Sequence, residues 1–367
     1  MTDRPTPRPG VMKIDNYVPG RTNAPDGIVT IKLSSNESPL GASPKAMDAV
    51  KAIADKLATY PEGSSIELRE TLAELNGLEA ERIVVGAGSD ELLHLLAQTY
   101  LGDGDEAVMN QYGFLMYPIV AKGAGATPVC AKAKDFTADV DALLAAVTPR
   151  TKIVFLDNPN NPTGTYLAED ELVRLHEGLP ADVLLVIDCA YAEYVDADDY
   201  VTGIDLVRKN ENVVMVRTFS KMGLAALRVG WLYGPDHIVD AINRLRGPFN
   251  VNMAAQAAGV AAARDTDFTR KLSDHNAKWR SWLSNELSSN QLKVVPSQGN
   301  FVLVQFPQTP GLTAQDADAA LLAKGLVTRQ VGVYGLPDCL RITIGEEHAM
   351  RAVAKVLKAF VEGGQNV

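Results

Sequence analysis

The chain has 367 residues, of which 46% are hydrophobic, 22% charged and 6% aromatic, the make-up of a globular protein of about two domains rather than a disordered chain. Its formal net charge of −10, from 35 Lys plus Arg against 45 Asp plus Glu, is spread along the sequence and argues against nucleic acid or an anionic membrane as the main partner. Three cysteines (Cys130, Cys189, Cys339) without a CxxC spacing speak against a disulfide framework or a metal site and fit the reducing cytoplasm, while the absence of any apolar run near roughly 18 residues predicts neither secretion nor a membrane span.

Residues 1–42 carry Pro5, Pro7, Pro9, Pro19 and Pro25, which interrupt regular structure and predict an extended N-terminal arm. A large domain is expected over 43–253. It opens with an amphipathic stretch at 43–59, with Pro44 where a first helical turn tolerates it. Short apolar runs follow at 83–85, 107–109, 153–156, 183–187 and 213–216, separated by helix-length segments. Continuous rather than alternating apolarity implies strands covered on both faces, so the fold class is α/β with a mostly parallel central sheet. The segment 229–233 reads as a further strand of either direction. Beyond it, one long helical region over 254–290, a strand at 300–306, a helix at 314–324 and a strand at 340–344 describe a smaller α+β domain over 254–367. The arm is expected to pack on this small domain or on a partner subunit.

In parallel sheets ligands gather beyond the carboxyl ends of the strands, so the residues after each apolar run are the candidates for chemistry. Gly86-Ala-Gly88-Ser89-Asp90-Glu91 opens a helix whose free N–H groups suit a phosphate, or is a plain glycine turn with Ser89 as cap. Glu91 occupies the last position of what would be GxGxxG, which weakens a dinucleotide reading. Asp157 to Gly164 forms a rigid turn that can aim Asn161 into a cleft; Asp188 ends a strand with Tyr191 three residues on. After 213–216 come Ser220 and Lys221, with Arg228 seven residues beyond. Lys221 lies among small and apolar residues, where desolvation lowers an amine's pKa and makes it nucleophilic.

Each signal alone has a plainer reading as a turn, cap or surface charge. In this order on successive strands they describe a pyridoxal phosphate site. Lys221 would join the cofactor aldehyde and move the proton at the substrate Cα. Asp188 would face the pyridine nitrogen, Asn161 and Tyr191 the ring hydroxyl, and Ser220, Arg228 and the Ser89-Asp90 turn the phosphate. Tyr112 is placed to stack on the ring.

With Tyr17-Val-Pro-Gly20, Asn36-Glu37-Ser-Pro39, Tyr60-Pro-Glu-Gly63, Asn158 to Gly164, Asp188-Cys-Ala-Tyr191, Phe219-Ser-Lys221, Pro248 to Asn252 and the Arg329…Arg341 pair, almost the whole chain resembles the fold-type I, aspartate-aminotransferase-like enzymes, and within them the histidinol-phosphate aminotransferases. The resemblance implies a homodimer in which Tyr60 reaches the neighbouring subunit's cofactor phosphate. It implies Arg341 for the amino acid carboxylate, Arg329 for the phosphate of histidinol phosphate, and Tyr17 and Asn36 closing over the substrate. Glutamate and 2-oxoglutarate would be the second substrate pair, and no metal is implied. An aromatic amino acid aminotransferase acting on phenylalanine or tyrosine is the rival. Three departures from the family pattern stand out: Cys189, Phe249, and a Lys221-to-Arg228 stretch one residue shorter than in many members.

Overall fold

The computed structural model describes residues 5–364; residues 1–4 of the expected arm and 365–367 at the other end lie outside the described residues. Seven strands form the main sheet: β1 (Ile83–Gly86), β2 (Glu106–Asn110), β3 (Thr127–Ala131), β4 (Thr151–Asp157), β5 (Leu184–Asp188), β6 (Val213–Thr218) and β7 (Gly230–Tyr233). Their spatial order is β1-β7-β6-β5-β4-β2-β3. Neighbours run parallel except around β7, which is antiparallel to both β1 and β6 and is the strand whose direction the sequence left open.

The apolar runs are continuous because each strand feeds two cores. On β4, Ile153 and Phe155 enter one core and Val154 and Leu156 the other; on β5, Leu184 and Val186 oppose Leu185 and Ile187. One core is closed by α1 (Pro44–Lys51), α2 (Ile66–Asn76), α5 (Val140–Ala145), α6 (Glu169–Glu177), α7 (Ile204–Lys209) and α9 (Met253–Arg264), the other by α3 (Ser89–Tyr100), α4 (Met116–Ala124) and α8 (Asp236–Leu245). Each fully buried Val, Leu or Ile contributes about 1.5–3 kcal/mol, so both faces of these strands are committed to packing and chemistry is left to their ends.

One helical expectation is corrected and another is divided. The stretch at 43–59 is α-helical only to Lys51, with a single tighter turn at Ala54–Lys56. The helical region expected over 254–290 is present as two helices, α9 and α10 (Thr266–Ser289), separated at Asp265, which leaves helical geometry with φ −89 and ψ 62. No glycine or proline marks the break. Tertiary contacts hold it: the Asp265 carboxylate accepts from Ser43 Oγ at 2.5 Å and pairs with Lys45 Nζ at 2.9 Å. Helix α9 sinks Ala255, Ala258 and Ala262 into the core shared with α1 and α2. We therefore propose that the large domain ends at Asp265 rather than at residue 253.

Helix α10 leads into an antiparallel sheet of β8 (Lys293–Val295), β9 (Phe301–Gln305), β10 (Arg329–Val331) and β11 (Leu336–Thr343), in the order β8-β9-β11-β10. It packs with α10, α11 (Ala314–Leu322) and α12 (Glu347–Gly364) through Leu283, Val302, Leu321, Ile342 and Leu357. The arm touches both parts of the chain. Ile31 and Lys32 pair in parallel with Leu326 and Val327, and Leu33 enters the small core. Further back, Lys122 on α4 donates to Lys13 O at 3.2 Å.

Candidate active site

The carboxyl ends of the parallel strands open into two neighbouring cavities of about 220 and about 160 Å³, which share Ser35, Phe114, Asn161, Tyr191 and Lys221. A larger opening of about 470 Å³ between α2 and α10 holds none of the candidate site residues, only Phe219 of the Phe219-Ser-Lys221 motif.

Lys221 sits on the tight turn that follows β6, its carbonyl accepting from Tyr194 Oη at 2.5 Å. Its Nζ lies 5.7 Å from the centre of the Tyr191 ring. Burial pushes the amine down to about 8, with the Arg341 and Arg228 guanidinia adding to the fall and Asp90 and Asp188 opposing it. Asp188 ends β5 and is 3% exposed. Its Oδ2 accepts from Tyr117 Oη at 3.1 Å, whereas Oδ1 is buried with no partner. Burial raises this carboxyl to about 6 despite the Tyr117 hydrogen bond.

On the adjacent strand Asp157 stands directly beside Asp188 in register. Burial, with Asp188 adding like charge, raises Asp157 to about 7. Its Oδ1 accepts from Asn160 Nδ2 at 3.0 Å and its Oδ2 from Asn161 N at 2.9 Å, so Asp157 shapes the turn that presents Asn161. Tyr191 accepts from Asn36 Nδ2 at 2.9 Å, and burial pushes its phenol up. Asn36 itself adopts φ +54 and is clipped to the small domain, its Oδ1 accepting from Thr343 Oγ1 at 3.0 Å. It lines the second cavity from a fixed position.

At the far end of the first cavity α3 begins at Gly88 (φ +83) without a side-chain cap, leaving its first N–H groups open to an anion. Arg228 reaches the same place: Nη1 donates to Ser220 Oγ at 3.1 Å and Nη2 to Asp90 Oδ2 at 2.9 Å. The short Lys221-to-Arg228 stretch achieves this with Arg228 at φ +54. The second cavity is lined by Tyr17, Arg329, Tyr334 and Arg341. Arg341 donates from Nη1 to Asn161 Oδ1 and from Nη2 to Ser34 O at 2.7 Å, and its Nε is buried without a partner.

Of the residues expected from the sequence, Ser89, Asp90, Asn161, Asp188, Tyr191, Ser220, Lys221 and Arg228 line the first cavity, and Tyr17, Asn36, Arg329 and Arg341 the second. Two do not join them. Tyr112 packs with Phe136 in a small apolar cluster beside Tyr334, its ring centre 6.1 Å from that of Phe136; Phe114, two residues on, is the aromatic that lines both cavities. Tyr112 lies within the turn at Asn110–Gly113, closed by Gly113 N donating to Asn110 O at 2.9 Å, and Phe114 follows it. Tyr60 is 79% exposed, stacked on Phe249 at 4.6 Å, and lines neither cavity. Asp157 and Tyr117 escaped the sequence reading because one lies in an Asn-Pro turn and the other in an apolar helix.

The residues 28–357 match the model of the aminotransferase class I and II family. A histidinol-phosphate aminotransferase of Nitrobacter hamburgensis is 53% identical over 98% of this chain and 99% of its own, and one of Rhodopseudomonas palustris is equally similar. Among solved structures, a histidinol-phosphate aminotransferase of Sinorhizobium meliloti in complex with pyridoxal 5′-phosphate superposes with a TM-score of 0.88 at 26% identity, covering 99% of both chains. With a half-buried lysine, a strand-end aspartate and an arginine-backed helix N-terminus meeting on this sheet, the chain belongs to the aminotransferase class I and II family.

Proposed function

We propose that this chain is a pyridoxal-phosphate-dependent transaminase that exchanges an amino group between histidinol phosphate and 2-oxoglutarate, giving imidazole-acetol phosphate and glutamate, the reaction of histidine biosynthesis. The fit to the cofactor rests on the orphaned Asp188 Oδ1: a buried carboxylate oxygen lacking a donor suits a protonated pyridine nitrogen. Bound there, pyridoxal phosphate supplies an electron sink for negative charge at the substrate Cα and carries the amino group between the two substrates.

The chain's own groups divide the remaining work. Arg228, Ser220 and the first turn of α3 hold the cofactor phosphate, and Asn161 and Tyr191 the ring hydroxyl. Phe114 covers the ring face. Lys221, held near 8, is substantially neutral at slightly alkaline pH, so its Nζ anchors the cofactor and then takes and returns the proton at the substrate Cα. Arg341 binds the carboxylate of glutamate, and Arg329 the phosphate ester of histidinol phosphate, which has no carboxylate of its own. Tyr17 and Asn36 form the wall that excludes water from the second cavity.

A homodimer is supported by the exposed Tyr60–Phe249 stack, apolar surface that a second copy would cover, and Leu57 and Leu245, close in sequence to the two rings, are also exposed. A cytoplasmic setting is supported by three free cysteines. The observation that carries the substrate assignment is the second arginine, Arg329, buried beside Arg341. Turnover of histidinol phosphate and of phenylalanine with 2-oxoglutarate tests it: kcat/KM should be higher for the phosphate ester, and faster phenylalanine turnover would replace this assignment with an aromatic aminotransferase. Lys221→Ala should lower kcat by at least about a thousandfold.

A further inference from the structure

The phenol of Tyr117 is fully buried in the first turns of α4, yet it belongs to neither cavity. Its ring is fixed on two sides: face to face with Phe155 at 4.9 Å and 5°, and edge-on to Phe114 at 5.9 Å and 89°. Phe155 lies two residues before Asp157 on the same face of β4, and Phe114 lines the site. A ring held by two stacks has little freedom to aim its hydroxyl elsewhere, and that hydroxyl donates to Asp188 Oδ2 at 3.1 Å. The other oxygen, Oδ1, is the buried one without a partner.

Asp188 needs such a donor because its surroundings disfavour its charge. Asp157 stands beside it on β4 and Asp90 faces it from α3, both carboxyl groups; Cys189 follows it on the chain, Tyr191 lies beyond, and Lys221 is the cation opposite. Asp157 spends both oxygens on the Asn160 and Asn161 turn. Of two neighbouring buried acids, one thus spends both oxygens on a turn, while the other takes its side-chain hydrogen bond from the Tyr117 phenol, backed by the Ala190 backbone N–H.

We infer that Tyr117 is a positioning residue for the cofactor: by donating to one oxygen of Asp188 it keeps that carboxylate ionised against Asp157 and turns the other oxygen toward the pyridine nitrogen. The inference rests on the pyridoxal phosphate reading above. Removal of the phenol oxygen leaves the ring stack intact, so Tyr117→Phe isolates the hydrogen bond from the packing.

The test is a titration of pyridoxal phosphate into wild type, Tyr117→Phe, Asp188→Asn and the double variant. Binding is followed by the visible absorbance of the bound cofactor between about pH 5 and about pH 9, across the Asp188 ionisation. Tyr117→Phe should weaken cofactor binding about tenfold, the effect of losing a hydrogen bond to a charged group. It should also move the acid limb of the affinity profile up by about one pH unit, since Asp188 then protonates more readily. In the Asp188→Asn background the same change should alter affinity by less than about twofold. Equal losses in both backgrounds would mean that Tyr117 only packs, and an unshifted acid limb would also overturn the inference. Failure of wild type to develop a visible band would instead refute the cofactor reading itself.

Discussion

Arg329 and Arg341 are direct cross-strand partners on β10 and β11, 8% and 5% exposed, and among the described residues neither is paired with a carboxylate. Their donors go to neutral acceptors: Arg329 Nη2 to Val18 O at 2.9 Å, Arg341 to Asn161 and Ser34. Like charges placed opposite each other on a sheet are destabilising, so the pair makes sense as the receptor for a doubly charged group such as the phosphate of histidinol phosphate. Arg329→Gln should cut kcat/KM for histidinol phosphate about a hundredfold, the loss of a charge-assisted hydrogen bond, while phenylalanine turnover changes little. The ligand-free protein should melt at the same temperature or about 1–2 °C higher. Equal losses on both substrates with a lowered melting temperature would make Arg329 a structural residue.

The buried acid at the base of the site has a stability signature with a definite sign. Asp188 is raised to about 6 from an ordinary 3.8, so the folded state prefers it neutral. Its contribution is therefore favourable below pH 4 and is lost as pH rises through 6. At pH 8 the ligand-free protein carries the cost of an ionised buried carboxylate, of the order of 2–3 kcal/mol. Asp188→Asn removes that cost and keeps an acceptor for Tyr117. Thermal melts of the ligand-free proteins should show Asp188→Asn several degrees more stable than wild type at about pH 8 and no more stable at about pH 4, even though it loses most transaminase activity. A constant difference at both pH values would contradict this.

The anion-binding turn depends on one backbone conformation. Gly88 has φ +83 and ψ 167, and a Cβ there would come within 2.6 Å of Arg228 Nη2. That region of backbone space is almost closed to residues with a side chain and costs about 1–3 kcal/mol. Gly88→Ala should lower the melting temperature by a few degrees and weaken cofactor binding about tenfold through displacement of Arg228. Gly104→Ala is the control: φ is +93 but nothing lies within 4 Å of the added Cβ, so it should lose stability without losing cofactor affinity.

The strands of the main sheet were legible because burial on both faces writes an unbroken apolar run, as on β4 and β5. The residues at their ends were legible because Lys221, Asp188 and Arg228 are out of place beside such runs. What the sequence did not disclose is decided by contacts between distant segments. Tyr112 and Phe114 flank the same glycine, and only the folded turn decides which ring meets the site. The break at Asp265 has no local signal, being held by Ser43 and Lys45 from more than two hundred residues away. Asp157 and Tyr117 matter through strand register and ring stacking, neither of which local sequence carries. The short edge strands β8 and β10 lack the length of apolar run that marks β4.

The exposed stack of Tyr60 on Phe249 leads to a prediction about shared sites. Neither ring lines the cavities of its own chain, although the resemblance to the aminotransferases implies that Tyr60 reaches a neighbouring subunit's cofactor. If two copies complete each other's site, a chain lacking Tyr60 and a chain lacking Lys221 are each defective, but a hybrid pair contains one site with both residues and one with neither. Tyr60→Ala and Lys221→Ala proteins, unfolded together and refolded at equal amounts, should recover up to about a quarter of wild-type turnover per chain, from the statistics of random pairing in a two-fold dimer. That recovery should exceed the sum of the two variants refolded separately. Sedimentation should show wild type as a dimer, and Leu57→Asp with Phe249→Asp should shift it toward monomer and reduce cofactor affinity together. Activity of the mixture no greater than that sum, with dimers formed, would place Tyr60 outside the site.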